Sequence, residues 1–234
     1  MVGIICAMQV EADGILSLMS EKSERVIAGM KFTSGVMHDK EVVVVVCGVG
    51  KVNAAMCTLA LIQEYHPDCI VNSGVAGGVS KKVKIGDIVV ATSAVEHDMN
   101  ITALGDKQGE VSFPEGKVMY FDCDKTVAET LYNACTNLED TKIEKGVVAS
   151  GDIFISRRSQ RIGINKLFSA LACEMEGAAI AHVCSRANVP CGILRAISDD
   201  LDENEGMDFV KFCDMASKKT VAVIEKFVTD YKAM

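Results

Sequence analysis

The chain has 234 residues and a formal net charge of -8. That length suits one α/β domain with a substantial core, and the acidic balance excludes a nucleic-acid partner, whose phosphates demand a basic footprint. Its apolar runs, of which Glu41 to Cys47 is the purest, are too short to span a bilayer, and the N-terminus lacks a basic signal segment. A cytoplasmic protein that does not enter membranes is therefore expected.

Ten cysteines occur singly in apolar segments, without a Cys-x-x-Cys pair, as small core residues do in a reducing compartment. The four histidines, His38, His66, His97 and His182, are too widely spaced for a metal-ligand set, and no metal is expected. His182 reads as a core histidine on an apolar helix face.

Val2 to Cys6 reads as a short strand, followed by a helix from near Glu11 or Ala12 to about Ser20. Glu11 then lies just beyond the carboxyl end of the first strand, the edge where open α/β sheets bind ligands. A glutamate in a first helical turn also complements the helix dipole, so both roles stand at this point. Arg25 to Ala28, Lys31 to Met37 and Glu41 to Cys47 follow as strands, the last a run of valines suited to a buried central position.

The valine strand leads into Gly48-Val49-Gly50-Lys51-Val52-Asn53 and a helix from Ala54 to Tyr65. A phosphate loop fails here, because Val45 stands where its first glycine belongs and Val52 where Ser or Thr would meet magnesium; a dinucleotide fingerprint fails at Asn53. The segment reads as a tight strand-to-helix turn beside a ligand. Cys69 to Asn72 is the next strand, breaking into a loop from Ser73 to Gly78, whose small residues let a ligand approach the backbone.

Ile88 to Val95 is a strand, Gly105 to Asp122 a surface excursion, Asp124 to Leu138 a helix and Glu144 to Ala149 a strand. The last ends in Ser150-Gly151-Asp152-Ile153-Phe154-Ile155, where Phe154 either stacks on a flat ring or joins the core. Arg157, Arg158 and Arg161 form a basic cluster, read as a solvated face. A helix from Ala178 to Asn188 stops before Pro190, Cys191 to Ser198 is the last strand with Asp199 and Asp200 at its end, and Met207 to Tyr231 is a long amphipathic helix. This alternation implies a mainly parallel or mixed sheet with helices on both faces.

Leu171 to Gly177 is the most informative stretch, because Glu174 and Glu176 interrupt an otherwise apolar run. Burying an unpaired carboxylate costs several kcal/mol or forces it to take up a proton, so a cation or a hydroxyl-bearing ligand must offset that cost. Arg195 is the obvious cation. Several carboxylates, an arginine, small-residue turns and an aromatic, without a metal or nucleotide-cofactor motif, suit acid/base hydrolysis through a cation-like transition state such as glycosidic cleavage.

Gly3-Ile4-Ile5-Cys6-Ala7-Met8 with Glu11, Gly48 to Ala55, Asn72 to Gly78, Ser150-Gly151-Asp152 with Phe154, Glu174-Met175-Glu176 and Arg195-Ala196-Ile197-Ser198-Asp199 together resemble one family from end to end. It is that of the 5'-methylthioadenosine/S-adenosylhomocysteine nucleosidases, within the nucleoside phosphorylase superfamily. The resemblance implies a single three-layer α/β/α domain over 1–234 with a mixed central sheet, no cofactor and a homodimer acting on a small nucleoside. It further implies that Glu11 activates water, Asp199 protonates adenine N7, and Glu176 with Met175 binds the ribose hydroxyls while Arg195 steadies that carboxylate. Phe154 would stack on adenine and the Ile155 backbone would read its edge. Met8, Val49 and Phe209 would line the ribose and thioether pocket, Ala76, Gly77 and Ser198 would contact substrate, and Ile101 and Leu104 would reach the neighbouring subunit's site. Val75 departs from the hydroxyl residue many members carry there, and Leu104 from a more usual aromatic.

Three alternatives stand beside this reading: a purine nucleoside phosphorylase, a futalosine hydrolase, and a nucleoside-binding protein without turnover. A phosphate site calls for arginine, yet Arg25 is the only one before Arg157, and Glu11 would repel the dianion.

Overall fold

A computed structural model describes residues 1–136, 138–201 and 209–232, with the side chains of 209–214 outside the described set. The chain opens with β1 (Val2–Cys6) and α1 (Gln9–Ser17), followed by β2 (Ser20–Ile27), β3 (Met30–Met37), β4 (Lys40–Val46), α2 (Lys51–Tyr65) and β5 (Cys69–Gly78). Then come β6 (Ile88–Glu96), a 3-10 turn at Thr102–Leu104, β7 (Val111–Phe113), β8 (Gly116–Val118), β9 (Phe121–Asp122) and α3 (Lys125–Cys135). The described chain continues with β10 (Ile143–Ser150), α4 (Arg158–Phe168), β11 (Ala170–Glu174), α5 (Gly177–Ala187), β12 (Cys191–Asp199) and α6 (Phe209–Asp230).

The main sheet runs in the order β11-β10-β6-β12-β5-β1-β4-β3-β2. It is mixed: β1 lies parallel to β4 and β5, and β12 is parallel to β5 but antiparallel to β6. Side-chain alternation divides each central strand between two cores. Ile4, Val42 and Val44 pack with Ile15 of α1, Leu131 of α3 and Phe227 of α6. Their neighbours Ile5, Val43 and Val45 pack with Leu61 of α2 and Ile180 of α5 on the opposite face. The result is the expected three-layer α/β/α arrangement.

Several boundaries differ from the sequence reading. Ser73 to Gly78 is not a loop: β5 continues through it, and Gly77 and Gly78 pair antiparallel with Cys173 and Ala172 of β11. The small side chains let β5 bend far enough for that end of the sheet to curl back on itself. Ser20 belongs to β2 rather than α1, because Ser20 faces Val36 across an antiparallel pairing. The excursion from Gly105 to Asp122 contains the β7-β8 hairpin, and β9 pairs with β6. Asn188 caps α5 in the left-handed conformation, as its sequence position suggests. Met207, the expected start of the last helix, lies outside the described residues.

The nine described cysteines are free and buried. His182 is satisfied where it stands: its ring stacks on Phe121 at 4.4 Å between centroids and its Nδ1 meets Glu96 at 2.8 Å. Among the described residues no helix is long and apolar enough to cross a membrane.

Candidate active site

The carboxyl ends of β1, β5, β11 and β12 meet at one cleft. Glu11, one turn after β1, is 1 % exposed. Its Oε2 accepts the backbone N–H groups of Ala7 and Met8, both at 2.9 Å, and its Oε1 accepts that of Val75 at 3.0 Å. Three backbone donors fix both oxygens of this carboxylate, which is more than a helix-dipole complement requires.

Beside it, Arg195 on β12 is wholly buried and faces Glu174, Glu176 and Glu11. Burial disfavours its charge, but these three carboxylates more than offset that and raise its pKa. The guanidinium binds Glu174 and the side-chain carbonyl of Asn72 through Nη2. Glu174 also accepts from Ser150 Oγ and from the N–H groups of Glu176 and Gly177 at the entry to α5. Glu174 is therefore a structural carboxylate that organises the turn from β11 into α5.

Glu176 is held differently. Its Oε1 accepts the Gly50 N–H at 2.9 Å, and its Oε2 lies 3.8 Å from Arg195 Nη2. Burial and then the Glu174 charge push its pKa up to about 7. The turn at Gly48 to Lys51 thus serves carboxylates rather than phosphates. Gly50, with φ of +101°, presents its N–H to Glu176, and Lys51 N–H bonds Asp152 Oδ1 at 2.8 Å. The Lys51 ammonium is turned away onto Glu96 and Asp98, at 3.0 and 2.7 Å.

Phe154 is 58 % exposed, although it lines the cleft with Ile153 and Ile155. A large apolar ring more than half exposed at a cleft can stack on a ligand, so the core alternative for Phe154 is excluded. Asp199, at the end of β12, also lines the cleft, with Ser198 Oγ donating to its Oδ1 at 2.8 Å.

The expected site residues Met8, Val49, Ala76, Gly77, Met175 and Ser198 all line this cleft with Glu11, Glu176 and Asp199. Arg195 lies beneath it rather than in its wall. Ile101 and Leu104 do not line it; Leu104 points outward and is 81 % exposed. The side chain of Phe209 lies outside the described residues.

One site residue differs from its sequence reading. Arg161 is not on a solvated face: it is 8 % exposed, lines the cleft and forms an ion pair with Asp199. Its spacing three and four residues from Arg158 and Arg157 suggests a cationic surface, and its burial against Asp199 distinguishes it from those two, which are exposed. Val75, the departure from the hydroxyl pattern, also lines the cleft and supplies its backbone N–H to Glu11.

This geometry combines a backbone-held carboxylate, a second buried carboxylate bonded to the Gly50 N–H, an exposed aromatic ring and a third carboxyl group in one cleft. It defines a nucleoside-type hydrolytic site. The chain belongs to the phosphorylase superfamily, which matches residues 1–229, and within it to the family of 5'-methylthioadenosine/S-adenosylhomocysteine nucleosidases. The nucleosidase of that name from Shewanella loihica is 36 % identical over 209 residues, covering 89 % of this chain and 90 % of the relative. The crystal structure of the Neisseria meningitidis nucleosidase in complex with methylthio-immucillin-A superposes with a TM-score of 0.91 at 31 % identity, covering 98 % of this chain and 99 % of that one. The futalosine hydrolase of Helicobacter pylori gives a TM-score of 0.90 at 32 % identity, covering 98 % and 97 %.

Proposed function

We propose that this protein hydrolyses the N-glycosidic bond of 5'-methylthioadenosine and S-adenosylhomocysteine, releasing adenine and the thioribose product. The observation that carries the reading is the convergence of Glu11, Glu176 and Asp199 on one cleft that Phe154, more than half exposed, also lines. In this mechanism Phe154 stacks on adenine, the Ile155 backbone meets its edge, and Glu176 accepts the ribose 2' and 3' hydroxyls. Met8 and Val49, which line the cleft, surround the ribose and its 5' substituent.

As the bond from the anomeric carbon to N9 breaks, its electron pair passes into the purine, and Asp199, which has first to take up a proton from solvent against its ion pair with Arg161, delivers that proton to N7. Water attacks the anomeric carbon and gives its proton to Glu11, whose two oxygens are pre-aimed by backbone donors. The positive charge growing on the sugar lies between Glu11 and Glu176, and such fixed charge lowers the barrier without reorganisation. Val75 offers no hydroxyl to the water, so its placement falls to Glu11, Arg195 and backbone groups.

Phosphorolysis is disfavoured by the same charges. Three carboxylates surround Arg195 and the Lys51 ammonium is engaged by Glu96 and Asp98, an environment that opposes a phosphate dianion. The likeness to the futalosine hydrolase supports a second reading that differs at the 5' substituent.

We further read 1–234 as one domain of a cytoplasmic homodimer, with Ile101 and Leu104 reaching the partner's site. Val52, Met56 and Leu59 support the dimer: they form an exposed apolar stripe along one face of α2.

The test is adenine release from methylthioadenosine and release of the purine base from a futalosine-type substrate, with and without phosphate. Phosphate-independent release of free methylthioribose is expected, and Glu11→Gln should abolish it while a non-hydrolysable adenosine analogue still binds. A strict phosphate requirement with a sugar phosphate product, or a near-normal rate for the variant, would overturn the respective assignment.

A further inference from the structure

Arg161 makes contacts from one planar group to two segments that line the cleft. Its Nε donates to the Ile155 carbonyl at 3.1 Å, its Nη1 to the Asp200 carbonyl at 3.0 Å, and its Nη2 pairs with Asp199 Oδ2. Ile155 lies on the segment between β10 and α4, whereas Asp199 ends β12 and Asp200 follows it, so this side chain bridges two segments far apart in sequence. Arg158 adds one more tie, from its Nε to the Leu201 carbonyl at 3.0 Å.

A rigid fork that satisfies three acceptors at once fixes their relative positions, which a lysine, as a single point charge, cannot do. Asp199 has its other oxygen bound by Ser198, so each of its two oxygens has a partner and the carboxyl group is held at both ends. We infer that Arg161 is a positioning residue for proton delivery, holding Asp199 and the Ile155 backbone at the separation a purine needs. This rests on the proposed reading of Asp199 as the group that protonates the leaving purine.

The test compares two leaving groups. Adenine needs a proton to depart, whereas the 4-nitrophenyl glycoside of 5-methylthioribose loses a stabilised phenolate without one. A general acid contributes about two to four decades of rate, and misplacing it forfeits part of that. Arg161→Gln is therefore expected to lower kcat for adenine release about ten- to a hundredfold and the 4-nitrophenyl rate by less than about twofold. Arg161→Lys, which keeps the charge and the fold but not the fork, should be intermediate. In an Asp199→Asn background Arg161→Gln should cost nothing further.

Equal losses on both leaving groups in the two variants would make Arg161 a merely structural anchor and overturn the inference. So would adenine release at the unmodified rate. If the unmodified protein releases no adenine while cleaving the 4-nitrophenyl glycoside, the assignment of substrate fails and takes this inference with it.

Discussion

Arg195 is the direct ion-pair partner of Glu174, while Glu176, two residues on, stands 3.8 Å from the same nitrogen. The pairing separates two carboxylates that look alike in sequence. Glu174 is consumed by a buried cation, a serine hydroxyl and the amide groups that begin α5; Glu176 keeps capacity for a ligand.

Glu174→Gln should therefore destabilise the protein. Removing one partner of a buried pair leaves the other charge uncompensated, at about 3 to 5 kcal/mol. Equilibrium urea unfolding at neutral pH is expected to show that loss in the midpoint, and an unchanged midpoint would mean that Asn72 and Glu176 suffice to hold Arg195.

Glu176 makes the opposite prediction. Its folded pKa of about 7 exceeds the ordinary 4.5, so between those values the folded state holds more protons than the unfolded one. Stability should therefore fall as pH rises through that window, by an amount up to roughly 3 kcal/mol for a shift of this size. Glu176→Gln should gain stability over the unmodified protein from pH 5 to pH 8 while losing affinity for nucleosides. Ribose hydroxyls donating to Glu176 favour its charged form, so an adenosine analogue should release a proton on binding near neutral pH. Calorimetry in two buffers of different ionisation enthalpy reads that proton directly.

Much of this arrangement is legible in the sequence alone. The valines of β4 announce a central strand because alternating residues must fill two cores, and Glu174 with Glu176 announce a site because buried charge must be compensated. The division of labour between the two is not legible, since it depends on which carboxylate Arg195 reaches from β12. Arg161 is hidden for a related reason: a helical arginine beside two others looks solvated until the end of β12 is laid against it. The run from Ser73 to Gly78 reads as a loop because small residues favour loops by propensity, whereas here the curl of the sheet uses them as strand. Local preference yields to tertiary pairing with β11.

Gly74 gives the sharpest steric test of the proposed water-activating role of Glu11. A Cβ placed there would overlap Arg195 Nη1 and lie 2.5 Å from Glu11 Oε1. Neither group can retreat: Glu11 is held by three backbone N–H groups, and Arg195 by Glu174 and Asn72. Overpacking of this kind costs about 1 to 3 kcal/mol, and a displaced base forfeits much of the two to four decades it supplies. Gly74→Ala should thus lower both the melting temperature and the rate of adenine release, the latter by about a hundredfold. Gly163, inside α4, is the contrast, because a methyl group added there would meet nothing within 4 Å. There alanine should stabilise the helix by about 0.5 to 1 kcal/mol and leave the rate unchanged. Steady-state assays and thermal melts of the two variants side by side check both; a fully active Gly74→Ala protein would show that Glu11 and Arg195 need not approach each other across this strand.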